Sequence, residues 1–122
     1  MKLERTADDY LADVVKWGEM AVGFCAGVKE SEFENNLMLQ VAVARCVEIV
    51  GEAAHQAVRS APDIASEHPD FEFRRAYAAR NVLAHAYGEI DQEIVWITVM
   101  TSIPAIIAVA KRILESRRGL PI

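Results

Sequence analysis

The segment Arg74–Tyr87, RRAYAARNVLAHAY, brings together side chains that could act on a phosphodiester. Arg80 and Tyr87 are seven residues apart, so on a helix they share nearly one face. Asn81 and His85 are four apart and can touch. The two pairs occupy adjacent stripes, giving one strip a fixed cation, an amide, an imidazole and a phenol. That set suits cleavage of RNA. A histidine can take the proton of a 2′-hydroxyl or give one to the leaving oxygen. An arginine can hold the phosphate and offset the extra negative charge of the transition state. No metal is needed for this chemistry. In the last turn of a helix, the dipole favours the protonated form of His85. One histidine is half of an acid–base pair; a symmetric dimer could supply the second, or Tyr87 or a water could. A lone arginine and a lone histidine are equally the ordinary polar residues of a structural helix, and residue types alone do not choose.

The charge pattern favours a local site. The chain carries a formal −5, which counts against binding nucleic acid over its whole surface. Between Glu72 and Tyr87, three arginines stand against one glutamate, a local +2 that leaves −7 for the remainder. A second polar stripe, Arg45, Glu48, Glu52, His55 and Arg59, recurs at helical spacing. It reads either as a solvated face with i,i+4 pairs or as the wall of a cleft. Glu52-Ala53-Ala54-His55 also fits one copy of the Glu-x-x-His pattern of di-iron bundles, but the second copy is absent.

Four helical segments are expected to position these groups. The first spans about Ala7–Ala26, capped by Thr6, with Asp8 and Asp9 at its positive end and Gly27 closing it. Ser31 and Glu34 form a capping box for the second, which should run to about Ser60, before Pro62. Gly51 lies inside its apolar stripe. A mid-helix glycine costs about 1 kcal/mol relative to alanine, so another helix should approach closely there. Pro62–Asp70 reads as a loop. The third helix should run from about Glu72 to Tyr87 and end at Gly88. The fourth should run from about Asp91 to Arg117, kinked or opened at Pro104. Ile94–Ala110 contains 17 residues without a charge. Charged segments close on both sides make it a buried helix rather than a membrane span, either central in the bundle or shared with a second subunit. No segment alternates with period two. The expectation is an all-α, antiparallel bundle of four to five helices.

The 122 residues suffice for one domain, spanning 1–122, and for a core without staples. Apolar residues make up 52% and charged residues 25%, the balance of a globular chain. Cys25 and Cys46 sit in apolar helical stretches and read as buried thiols. The N-terminal residues mix charge and apolar side chains unlike a signal peptide. The expected compartment is the cytoplasm, with no membrane partner and no cofactor.

Arg80-Asn81-(three residues)-His85-Ala86-Tyr87 resembles the R-x4-H-x-Y signature of HepT toxins in the HEPN superfamily. Three further segments resemble the family in order: Asp9-Tyr10-Leu11, Glu48–Ala54, and Asp91–Trp96. The likeness covers roughly residues 6–115. It implies an HEPN-like all-helical homodimer with paired R-x4-H motifs facing across a cleft, cleaving RNA without a metal. It also implies the toxin of a two-gene module, silenced when a minimal nucleotidyltransferase antitoxin of the MntA type transfers AMP to Tyr87. Arg80 and His85 would then be catalytic. Asn81, Glu52 and Arg45 would support them or contact RNA, Asn81 either by orienting His85 or by touching the RNA. Ala86 stands where the family pattern has glycine, the residues before Arg80 are two alanines, and the second helix starts unusually apolar. These departures bear on cleft width and substrate preference. The rival readings are a non-catalytic interaction or nucleotide-binding bundle of the same fold, and a metal-binding bundle.

Overall fold

A computed structural model describes residues 4–85 and 90–119. Helix α1 spans Ala7–Cys25. Its start is a reciprocal cap, with Asp9 N–H donating to Thr6 Oγ1 at 3.2 Å and Thr6 N–H to Asp9 Oδ2 at 2.9 Å. The Thr6 backbone N–H holds the Asp9 carboxyl below its usual pKa. Beyond the helix, Gly27 takes φ +74°, a conformation that favours glycine.

The second segment differs from expectation. Its cap is Lys29, whose N–H donates to Glu32 Oε1 at 3.1 Å, rather than Ser31. Only the short α2, Glu30–Glu34, follows. The chain breaks at Asn35–Asn36, and Asn36 caps α3, Leu37–Ser60, by accepting from Leu39 N–H at 3.1 Å. Gln40 reaches back to the Phe33 and Glu34 carbonyls, both at 3.0 Å, and satisfies the end of α2. The proline-bounded loop holds a further single turn, α4, Asp63–Glu67. Helix α5 is described over Phe73–His85; the expected end at Gly88, with Ala86 and Tyr87, lies outside the described residues.

The last segment opens as the proline requires. Helix α6, Gln92–Met100, gives way at Thr101 to α7, Ser102–Arg117. Pro104 has no N–H for the Met100 carbonyl and its ring crowds that carbonyl, so the break falls just N-terminal to the proline. Asp91 caps α6 through Glu93 N–H at 3.0 Å.

The helices pack antiparallel where ion pairs show their register. Arg117 meets Asp8 at 2.7 Å and Lys111 meets Glu19 at 3.6 Å, so α7 runs against α1. Leu11, Val14, Val43, Val50, Val99 and Ile113 are fully enclosed between α1, α3 and the last two helices. Each such side chain contributes about 1.5–3 kcal/mol on leaving water. Both cysteines are buried free thiols, and burial pushes their pKa values up. Asp70 ties the loop before α5 to α7 through Arg112, at 2.6 and 2.8 Å. Among the described residues there are seven helices and no strand, an all-α bundle whose four expected segments are interrupted by short breaks.

The charge-free segment is not buried all round. Gln92–Arg117 is long and apolar enough to cross a membrane by length and composition, yet only 33% of its most apolar window is buried. Val95, Val99, Ile103, Ile106 and Ile113 face the core, whereas Ile94, Ile97 and Met100 are exposed.

Candidate active site

Helices α3 and α5 cross at Gly51. A Cβ built there would lie 2.3 Å from the Ala76 carbonyl oxygen and 2.6 Å from Arg80 Cβ. The glycine in the apolar stripe thus admits the backbone of α5, as its position suggested. The same contact fixes where Arg80 leaves α5.

From that crossing, one flank of α5 meets the polar stripe of α3. Arg80 Nε lies 3.4 Å from Glu52 Oε2. Arg80 Nη1 donates to Asn81 Oδ1 at 3.0 Å. Glu52 Oε1 accepts from Gln56 Nε2 at 3.1 Å, which steadies the carboxylate. The Arg80 and Glu52 side chains are 31% and 42% exposed, and a pair this open contributes only about 0–1 kcal/mol. Its effect is to orient the guanidinium, with one edge held by protein and the remainder facing solvent. The Arg80 guanidinium carbon also lies 5.8 Å from the Tyr77 ring centre, and Tyr77 stacks on His55 with centres 4.0 Å apart and planes 15° apart. The antiparallel pairing of residues 52 with 80 and 55 with 77 brings all four side chains to one place.

The other candidates are placed differently. His85 is exposed in the last described turn of α5. By helical geometry it lies roughly 140° around and about 7.5 Å along the axis from Arg80, and no hydrogen bond or ion pair joins the two among the described residues. Asn81 is turned to Arg80 rather than to His85. Arg45 pairs with Glu48 at 3.8 Å and is 69% exposed, a turn and more away from Glu52 on α3. Tyr87 lies outside the described residues. Glu52 and His55, the single Glu-x-x-His pair, are engaged with Arg80 and Tyr77. Among the described residues no three potential metal ligands converge.

Tyr77 is the member that sequence reasoning did not single out. Its signal was its place three residues before Arg80, on the same flank.

Beyond Glu72 and Arg75 at its start, the opposite flank of α5 is apolar. Between it and α6–α7 runs a groove of about 390 Å³ lined by Val50, Ala76, Ala79, Ile97 and Ile106, among others. It shares Val47, Ala79, Ile94 and Thr98 with a second hollow of about 320 Å³ that Val82 and Leu83 extend. Val82, Ile94 and Ile97 on its rim are 65%, 62% and 51% exposed. An apolar strip thus runs beside the helix that carries Arg80 and His85.

A family model described as "Ribonuclease HepT-like" matches residues 16–113. The "Probable ribonuclease HepT" of Thermococcus cleftensis is 31% identical over 104 residues, covering 85% of this chain and 92% of that protein. "Putative RNase MJ1216" of Methanocaldococcus jannaschii is 28% identical over 116 residues, covering 95% of this chain and 93% of that protein. "Putative RNase TTE0752" of Caldanaerobacter subterraneus is 25% identical over 115 residues, covering 93% and 99%. No solved structure gives a significant match.

Proposed function

Since the chain belongs to the HepT-like ribonuclease family, we propose that it is an endoribonuclease that cleaves RNA at Arg80 and His85 without a metal. The observation that carries this reading is Arg80 itself. Its guanidinium is oriented by Glu52 and Asn81 yet still open to solvent, on a helix whose residues 73–85 hold three arginines and no acid. Arg80 takes a phosphate by its free donors and offsets the charge that builds on the phosphoryl oxygens. His85 moves the proton, either from the 2′-hydroxyl or to the leaving 5′-oxygen. The guanidinium supplies the positive charge that a metal would otherwise bring. RNA cleavage by the purified chain should therefore persist in EDTA, and a DNA strand of the same sequence, lacking the 2′-hydroxyl, should remain whole. Loss of cleavage in EDTA would overturn the metal-free reading. RNA that is bound and left intact would mark a non-catalytic module.

The second half of the acid–base pair comes from a second copy. Arg80 and His85 leave α5 in directions roughly 140° apart, and the apolar strip of Val82, Ile94 and Ile97 lies on the flank opposite Arg80, next to His85. A second copy covering that strip buries exposed apolar surface of the kind found at permanent interfaces and sets two His85 side chains near one cleft. Light scattering at micromolar concentration should give a dimer mass. Replacing Ile94 and Ile97 together by Glu should give a monomer that has lost cleavage while its helical signal stays. A monomer from the unaltered chain would sink the dimeric site.

The biological role we propose is that of a toxin in a two-gene module, working in the cytoplasm. Its partner is a minimal nucleotidyltransferase of the MntA type that attaches AMP to Tyr87. What supports Tyr87 as acceptor is its place in the sequence, two residues beyond His85 and seven beyond Arg80. A nucleotide there adds negative charge and bulk where the RNA phosphate must sit.

A further inference from the structure

We propose that the stacked His55–Tyr77 pair is a nucleobase subsite, taking the base of the nucleotide beside the phosphate on Arg80. The inference rests on the reading of Arg80 as the phosphate ligand.

Tyr77 stands apart from the core: Phe73, Ala76 and Leu83 of α5 are among the hydrophobic side chains packed against the buried cluster, and Tyr77 is not. Tyr77 and His55 are both half-buried, in register across α3 and α5, with ring centres 4.0 Å apart and nearly parallel planes. The α3–α5 contact is already closed one turn away, where the backbones meet at Gly51. Aromatic area is thus set beside an oriented guanidinium, 5.8 Å from the Tyr77 ring.

Those two features are what single-stranded RNA offers to bind: an anionic backbone and flat π-faces one nucleotide apart. The geometry also gives direction. Tyr77 precedes Arg80 by about 4.5 Å along the axis, while His85 follows it by about 7.5 Å. The stacked base therefore belongs to the nucleotide on the side of the phosphate away from His85. Stacking is tolerant of sequence but grows with ring area, so a purine is preferred at that position.

The test uses the full-length chain carrying His85→Ala, which binds without cutting, and oligoribonucleotides with 2-aminopurine placed at successive positions. One position should lose most of its fluorescence on binding, because a stacked 2-aminopurine is quenched. Adding Tyr77→Leu should restore that fluorescence and raise Kd by roughly tenfold to a hundredfold, the range for one lost stacking contact. Adding Tyr77→Phe should keep both near those of His85→Ala alone. Quenching at no position, or unchanged quenching and Kd in a folded Tyr77→Leu variant, would overturn the subsite. If the leucine variant unfolds, the scan on the parent decides alone. The two readings fail separately: an unaltered chain that cuts RNA while no position is quenched loses only the subsite, and one that quenches without cutting loses only the nuclease.

Discussion

Alanine at Arg80 or at His85 should each abolish RNA cleavage while the circular dichroism spectrum and the mass in solution stay those of the unaltered chain. The two losses have different sources. Arg80 is oriented before substrate arrives, by Glu52 at 3.4 Å and Asn81 at 3.0 Å. Removing a donor of this kind from a developing anion costs about 10²–10³ in rate. Removing a positioned proton carrier costs about 10²–10⁴. Neither change threatens the fold. His85 is exposed at the end of the described part of α5, and Arg80 makes a half-open ion pair contributing at most about 1 kcal/mol. Alanine is also the better helix former at both positions. Arg80→Lys should recover only part of the loss, since an ammonium keeps the charge but not the planar fork. Glu52→Gln should give a milder, positioning defect, with Arg80 present but less constrained. Initial rates on a labelled single-stranded RNA measure all four. Wild-type rates in either alanine variant would remove that residue from the chemistry.

The spread of these residues over two helices sets what a sequence can disclose. Arg80, Asn81 and His85 lie within six residues, so their common helix is legible from spacing alone. The role of Gly51 is legible too, because a glycine inside an apolar stripe has few other uses. The His55–Tyr77 stack is not, since no local spacing joins residues 22 apart; it exists only once α3 and α5 pair antiparallel. The break at Thr101 follows from Pro104 by the geometry of the missing N–H. The break at Asn35–Asn36 was masked by a stronger pattern. Ser31 with Glu34 looks like a capping box, but Glu32 instead accepts from the Lys29 N–H two residues earlier, and Asn36 then restarts the helix. A single turn such as α2 is too short to hold by itself. It is kept by Phe33, which is fully buried and lies 5.4 Å from the Trp96 ring. That contact spans more than sixty residues and is invisible to a local reading.

Gly51→Ala should lower the stability of the whole chain, against the usual direction for glycine-to-alanine changes in helices, and should impair cleavage more than the stability loss explains. Two effects oppose each other. Alanine gains about 1 kcal/mol in a helix interior. The new Cβ would stand 2.3 Å from the Ala76 carbonyl oxygen and 2.6 Å from Arg80 Cβ. Neither atom can swing aside, because one is backbone and the other is fixed to it, so α5 must move bodily. Overpacking of this kind costs about 1–3 kcal/mol. The clash outweighs the propensity gain, and Gly51→Val, with two more carbons and a restricted χ1, makes it worse. A natural control sits in α1. Gly23 is exposed with nothing within 4 Å of a built Cβ, so Gly23→Ala should raise Tm. Thermal unfolding therefore separates the two glycines by sign. The catalytic consequence follows from the same atoms. The helix that must shift carries Arg80, and a displacement near 1 Å at a positioning group costs on the order of 10² in rate. Cleavage measured well below Tm, where Gly51→Ala is fully folded, should still be reduced, while Gly23→Ala cleaves at the wild-type rate. A rise in Tm for Gly51→Ala matching that of Gly23→Ala would mean that α5 does not rest on α3 at this point, and the oriented Arg80 would lose its structural basis.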